Sequence, residues 1–192
     1  MGVPGVGKSS LVSEVKKKLD MLGLNSSIAV FGTMMFHESM KFGIKDRDEL
    51  RKLPIQKQKE LQQMTAKIIS LMKNDIVIID THLFINTEIG YYPGLPAYLL
   101  EIIKPTLILL ILANPDEIYQ RRKNDSTRNR DQISVESINT DLEISKMMVS
   151  ASALLTGTTF QLIMNHDGKI DEACNKMVNI IKQKFTVIKN EY

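Results

Sequence analysis

Eight consecutive residues near the start of the chain, Gly2-Val3-Pro4-Gly5-Val6-Gly7-Lys8-Ser9, have the spacing of a phosphate cradle, G-x-x-x-x-G-K-S. Glycines at 2, 5 and 7 let the backbone curl around an anion and turn successive N–H groups inward. The Lys8 ammonium can reach the outer phosphates of a nucleotide, and the Ser9 hydroxyl is placed to ligate Mg²⁺. A helix starting near Gly7 aims the positive end of its dipole at the same anion. The cradle so read comprises Gly2, Val3, Pro4, Gly5, Val6, Gly7, Lys8, Ser9 and Ser10. A chance glycine turn before a helix would not need this set of residue types.

Other residues fit the same chemistry. Ile76-Val77-Ile78-Ile79-Asp80 is an apolar run closing on an acid. Beside a phosphate cradle, an Asp at a strand end holds Mg²⁺ directly or through water. Arg121, Arg122, Arg128 and Arg130 lie within ten residues of one another. Guanidinium groups bind phosphoryl oxygens through two parallel hydrogen bonds and keep their charge. By themselves they would read as a solvated basic loop; downstream of a phosphate cradle they read as charge brought in as the site closes. Arg47 and Arg51 are four apart and share one face of a helix. They could clamp a further phosphate or pair with Asp46, Asp48 and Glu49 on the surface. Thr33, after Gly32, reads first as a helix N-cap and second as a contact to a base or sugar. His82 reads as structural, because phosphoryl transfer needs little proton chemistry.

The elements that must position these groups alternate. Helices are expected over residues 9–22, 33–40, 46–53, 54–72, 97–103, 115–123, 134–155 and 171–185. Strands are expected over residues 27–31, 76–79, 106–112 and 160–164, and residues 81–96 read as a Gly- and Pro-rich loop. Alternating strands and helices mean α/β with a parallel sheet. Four strands are visible, and the buried strand that normally leads into a phosphate cradle is missing, since only Met1 precedes Gly2. At 192 residues the chain makes one domain with a substantial core. A net charge of +3 does not argue for nucleic-acid binding. Cys174, the single cysteine, allows no intrachain disulfide. The longest apolar run, around residues 106–113, is strand-sized rather than membrane-spanning, and no leader is apparent, so a cytoplasmic protein is expected.

Taken together the segments resemble the archaeal-type adenylate kinases, which are P-loop nucleoside monophosphate kinases. The resemblance rests on the cradle, on Phe31-Gly32-Thr33 and on Asp46-Arg47-Asp48-Glu49-Leu50-Arg51-Lys52-Leu53. It continues through Ile79-Asp80-Thr81-His82, Gly90-Tyr91-Tyr92-Pro93-Gly94-Leu95-Pro96 and Asp125-Ser126-Thr127-Arg128-Asn129-Arg130-Asp131. Leu155-Thr156-Gly157 and Asn165 complete it, so it spans nearly the whole chain in order. It implies a P-loop NTPase-like three-layer α/β/α domain over residues 1–192, with an AMP-binding segment at about 32–73 and a lid at about 124–133. The implied reaction is ATP + AMP ⇌ 2 ADP with Mg²⁺. Residues 2–10 would hold the ATP phosphates, Ser9 and Asp80 the metal, and Lys8, Arg121, Arg128 and Arg130 the migrating phosphoryl group. Gly32, Thr33, Arg47, Arg51 and Leu95 would form the AMP site, and backbone near Asn165 would face the adenine. The resemblance also implies a homotrimer.

The chain departs from that pattern twice. Relatives carry an apolar strand before the cradle; omitting about five buried strand residues would cost on the order of 10 kcal/mol at about 2 kcal/mol each, so a start site assigned too late is expected. Asn86 stands where relatives carry a basic residue, so weaker AMP binding is expected. Two other readings compete: a kinase with CMP or UMP as acceptor, and a nucleotide-binding assembly factor with little turnover.

Overall fold

Two pairs of parallel strands frame the structure, a computed structural model that describes residues 1–87, 90–125 and 134–190, with the side chains of residues 51 and 190 outside the description. The chain order is α1 (Lys8–Met21), β1 (Ser26–Val30), α2 (Phe31–Met40), α3 (Arg47–Lys52), α4 (Ile55–Ser70) and β2 (Ile76–Asp80). Then come β3 (Phe84–Thr87), β4 (Gly90–Pro93), α5 (Ala97–Ile103), β5 (Leu107–Leu112), α6 (Pro115–Lys123), α7 (Val135–Thr156), β6 (Thr159–Met164) and α8 (Ile170–Asn190). β1 runs parallel to β2 with Val30 opposite Asp80, and β5 runs parallel to β6 with Leu112 opposite Met164.

Local chemistry accounts for the boundaries. α1 buries Leu11, Val12, Val15 and Leu19, a single stripe at helical spacing. α3 begins where the Asp46 carboxylate accepts from the Asp48 and Glu49 amides, both at 2.8 Å. α6 starts on a capping box, in which the Glu117 carboxylate accepts from the Asn114 amide at 3.0 Å, with Pro115 in the first turn. Ser134 caps α7, and Gly157 ends it in the left-handed conformation at φ 64°. β5 is the unbroken run Leu-Ile-Leu-Leu-Ile-Leu, and Ile108 and Leu110 to Leu112 are buried, as a parallel strand covered by helices requires. α7 and α8 both pack on β5 and β6, and α1 packs on α8, β1 and β2.

The expected single parallel sheet is instead two separate pairs. Between β2 and β5 lies a cavity of about 370 Å³, walled by both strands and by Val12, Ile69, Leu100, Met177 and Ile181. Among the described residues, only Met1 occupies a ladder position along β5 on this side. Its amino group donates to the Leu109 carbonyl at 2.8 Å, and its carbonyl accepts from the Ile111 amide at 2.8 Å. The Met1 side chain touches both apolar clusters of the core, one built on α1, β5, α7 and α8, the other on α2, α4 and α5.

Three further expectations need correction. Phe84–Thr87 and Gly90–Pro93 pair as antiparallel strands where a loop was expected, with Phe84 and Tyr91 edge to face at 4.8 Å. Gly90, Pro93 and Gly94 punctuate that segment strongly enough to mask its aromatic and β-branched content. β1 stops at Val30, and α2 starts at Phe31 with Val30 as its N-cap, so Gly32 and Thr33 lie in the first helical turn and Thr33 is not the cap. α8 continues past residue 185 to Asn190.

Candidate active site

The phosphate cradle folds as a loop that ends at the N-terminus of α1. Gly7 caps the helix at φ 77°, a conformation that L side chains rarely adopt. It is constrained a second way: a Cβ there would come within 2.5 Å of the Asn165 side-chain nitrogen. That nitrogen donates to the Val6 carbonyl at 2.8 Å. Asn165 is buried, and its own amide donates to the Leu112 carbonyl at 2.8 Å, which fixes it just beyond the end of β6. The ends of β5 and β6 therefore hold the loop from one side.

Asp80, the last residue of β2, meets Lys8 in the first turn of α1. The Lys8 Nζ lies 2.9 Å from the Asp80 Oδ1, with both side chains about nine-tenths shielded from solvent. The strand brings the acid to the loop because Asp80 sits opposite Val30, at the edge where β1 gives way to α2. Ser9 and Ser10 follow Lys8 and are exposed on the open side of the helix start.

Arg121 reaches the loop from α6. Its Nη2 donates to the Asn165 carbonyl at 2.9 Å and its Nη1 to the Gly5 carbonyl at 3.4 Å. Asp167 accepts from its Nε at 2.8 Å and lies 2.7 Å from Nη2. An arginine held at three points by the loop and by the turn after β6 is preorganised for a charge developing nearby.

A second group forms away from the loop. Arg47 donates from Nη2 to the Thr33 hydroxyl at 2.9 Å, and its guanidinium stands 5.8 Å from the Phe36 ring centroid. α2 and α3 thus combine the two residues, with the Asp46 cap setting the start of α3. Arg51 lies one turn further along α3. Gly32 is exposed, with no other group within 4 Å of where a Cβ would sit. Leu95 is buried in the apolar cluster of α2, α4 and α5 and lines the cavity between β2 and β5. Arg128 and Arg130 fall outside the described residues.

Spacing did not single out two partners. Asp167, the anion that anchors Arg121, is 46 residues downstream, and no short-range pattern links the two. Arg122, the neighbour of Arg121, is buried and donates from Nε to the Pro4 carbonyl at 2.8 Å. Its only sequence signal was membership of the arginine cluster.

Comparison with known proteins places the chain. A family model described as an AAA domain matches residues 1–139. The adenylate kinase of Methanocaldococcus jannaschii is 38% identical over 184 residues, covering 95% of this chain and 96% of that protein. The adenylate kinase of Sulfurisphaera tokodaii is 39% identical over 184 residues, covering 93% and 95%. That of Thermoplasma acidophilum is 39% identical over 181 residues, covering 94% and 95%.

Proposed function

The chain belongs to the adenylate kinase family, and we propose that it moves a phosphoryl group reversibly between ATP and AMP to give two ADP. The observation that carries this reading is the convergence of Lys8, Asp80, Arg121 and Asn165 on one glycine-rich loop. The ATP phosphates sit on the backbone N–H groups that residues 2–10 offer, Pro4 having none, and on the end of the α1 dipole. Lys8 exchanges its ion pair with Asp80 for the arriving phosphates, which leaves the carboxylate beside the reacting groups. Arg121, with Arg128 and Arg130, neutralises the charge of the migrating phosphoryl group. Positioning and electrostatics carry the reaction, and no general base is required.

The donor set suits Mg²⁺. That ion takes oxygen ligands and keeps several waters, so one or two protein oxygens beside substrate phosphates suffice. Ser9 and Asp80 supply them, and among the described residues no group of three or more His, Cys, Asp or Glu competes as a metal site. When bound, the ion neutralises charge on the outer phosphates.

Thr33 and Arg47, already hydrogen-bonded, form the AMP site with Gly32, Arg51 and Leu95. Backbone at Asn165 faces the adenine of ATP. The same reading makes residues 1–192 one kinase domain of P-loop NTPase-like α/β/α layering, with the AMP-binding segment at about 32–73 and the lid at about 124–133. It carries a homotrimer, for which the exposed Ile85, Met147, Leu154 and Leu155 offer apolar surface. A cytoplasmic setting accords with the absence, among the described residues, of a helix long and apolar enough to cross a membrane.

The test is ADP formation from ATP, AMP and Mg²⁺, with CMP, UMP and GMP as parallel acceptors. AMP-selective turnover is expected. A preference for CMP or UMP would replace the acceptor, and a folded protein silent with every acceptor would favour a nucleotide-binding assembly factor.

A further inference from the structure

We propose that Arg122 is a positioning residue for the phosphate loop: it holds the Pro4–Gly5 peptide so that the Gly5 N–H faces the ATP phosphates. The argument begins with the planar trans peptide, in which a carbonyl and the next N–H point to opposite sides. Whatever grips a loop carbonyl from outside therefore aims the following N–H inward. Arg122 grips the Pro4 carbonyl through its Nε at 2.8 Å, which aims the N–H of Gly5. Asn165 grips the Val6 carbonyl at 2.8 Å, which aims the N–H of Gly7. The two side chains, one from α6 and one from beyond β6, set two donors of the cradle by the same device.

Packing ties Arg122 to this place. A Cβ on Gly5, whose φ is 90°, would lie 3.0 Å from the Arg122 Cγ and 3.2 Å from its Nε. The guanidinium stem thus lies directly against the loop where the loop has no side chain. Behind it stands Asp141 of α7, half-buried, whose Oδ1 accepts from the Tyr91 hydroxyl of β4 at 3.2 Å. Burial pushes the Asp141 carboxyl above its usual range, and the Tyr91 hydrogen bond and the Arg122 charge offset part of that rise. α6 packs on α7, so Arg122 is tied to the loop by its hydrogen bond and to α7 through its helix and its charge.

This inference rests on the adenylate kinase reading, and the experiment separates the two. In the full chain, Arg122→Met keeps the apolar stem and removes the donor, while Arg122→Lys retains a cation that can reach a carbonyl. Steady-state turnover with ATP and AMP is measured beside calorimetric binding of ATP without AMP. A lost charge-assisted hydrogen bond predicts roughly a tenfold loss of kcat/KM for ATP and of ATP affinity in Arg122→Met. The AMP KM should stay within about twofold, and Arg122→Lys should recover part of the loss. A folded Arg122→Met with unchanged ATP affinity, or with ATP and AMP affected equally, overturns the assignment. If Arg122→Met does not fold, Asp141→Asn decides: it should weaken ATP binding in the same direction, and unchanged ATP binding would count against the role. Wild-type protein without turnover would refute the kinase reading instead, while ATP calorimetry would still report on Arg122.

Discussion

The Lys8 ammonium and the Asp80 carboxylate stand 2.9 Å apart, shielded from solvent, and each is the other's ion partner. The cation of the glycine-rich loop and the acid at the strand end thus neutralise one another. Breaking such a pair on one side leaves a buried charge, which costs about 3 kcal/mol or more, whereas removing both charges costs less. Lys8→Ala should therefore abolish measurable turnover and lower stability by about 3 kcal/mol. Adding Asp80→Asn should recover much of that stability and none of the activity. Urea denaturation of both variants checks the first part, and ADP formation the second. Equal stability of the single and double variants would mean that the unpaired Asp80 charge costs the fold nothing.

The Met1 amino group gives a pH dependence with a definite sign. Burial pushes its pKa down from 8.0 to about 5, and the nearby Lys8 charge adds to the effect. In the unfolded chain the amine is charged below pH 8; in the folded chain it is charged only below about pH 5. Between those values unfolding takes up a proton, so stability is greatest above pH 8 and falls as the pH drops toward 5. Three units correspond to about 4 kcal/mol. Denaturation midpoints of a chain beginning at Met1, measured from pH 5 to 8.5, should show this rise, and acetylation of the amine should flatten it.

How much of this was legible in the sequence differs from residue to residue. The cradle and Asp80 were legible because their geometry is local: a glycine loop opening a helix, and an acid ending a strand. Thr33 and Arg47 were legible singly, but not as a pair, because the hydrogen bond between them depends on how α2 meets α3. Arg121 and Arg122 are adjacent on one helix, and spacing could not say which meets the loop. In fact both do, at the carbonyls of Gly5 and Pro4 respectively. Asp167 was hidden because its partner lies far away in the chain. The hairpin was hidden because its glycines and prolines signal turns more loudly than Phe84, Ile85, Tyr91 and Tyr92 signal strands.

The cavity between β2 and β5 predicts a gain from filling it. Both strands present an edge to it, and Met1 already pairs with β5 on that side. Five apolar residues added before Met1, alternating Val and Ile, should continue the ladder and occupy the space. Each buried side chain contributes about 1.5 to 3 kcal/mol, so a rise of more than 10 °C in Tm is expected for the set. The same addition with a central Pro and Asp should give little, because it removes a ladder donor and buries a charge. Equal Tm values for the two extensions would show that the groove does not accept a strand.

Acceptor binding predicts a split between the two nucleotides. Arg47 is oriented by its bond to Thr33 and by the Phe36 ring, so its charge is held in place rather than free in solvent. Arg47→Ala should raise the AMP KM roughly tenfold, the loss expected for one charge-assisted contact, with the ATP KM nearly unchanged. Thr33→Val keeps the shape but removes the oxygen that accepts from Arg47; it should raise the AMP KM by a smaller factor in the same direction. Asn86, exposed on β3 opposite Tyr91, supplies the converse test. Asn86→Arg adds a cation to the hairpin and should lower the AMP KM if the hairpin faces the acceptor phosphate. An AMP KM unmoved by Asn86→Arg, alongside a strong Arg47→Ala effect, would assign phosphate recognition to α3 and leave the hairpin out of the acceptor site.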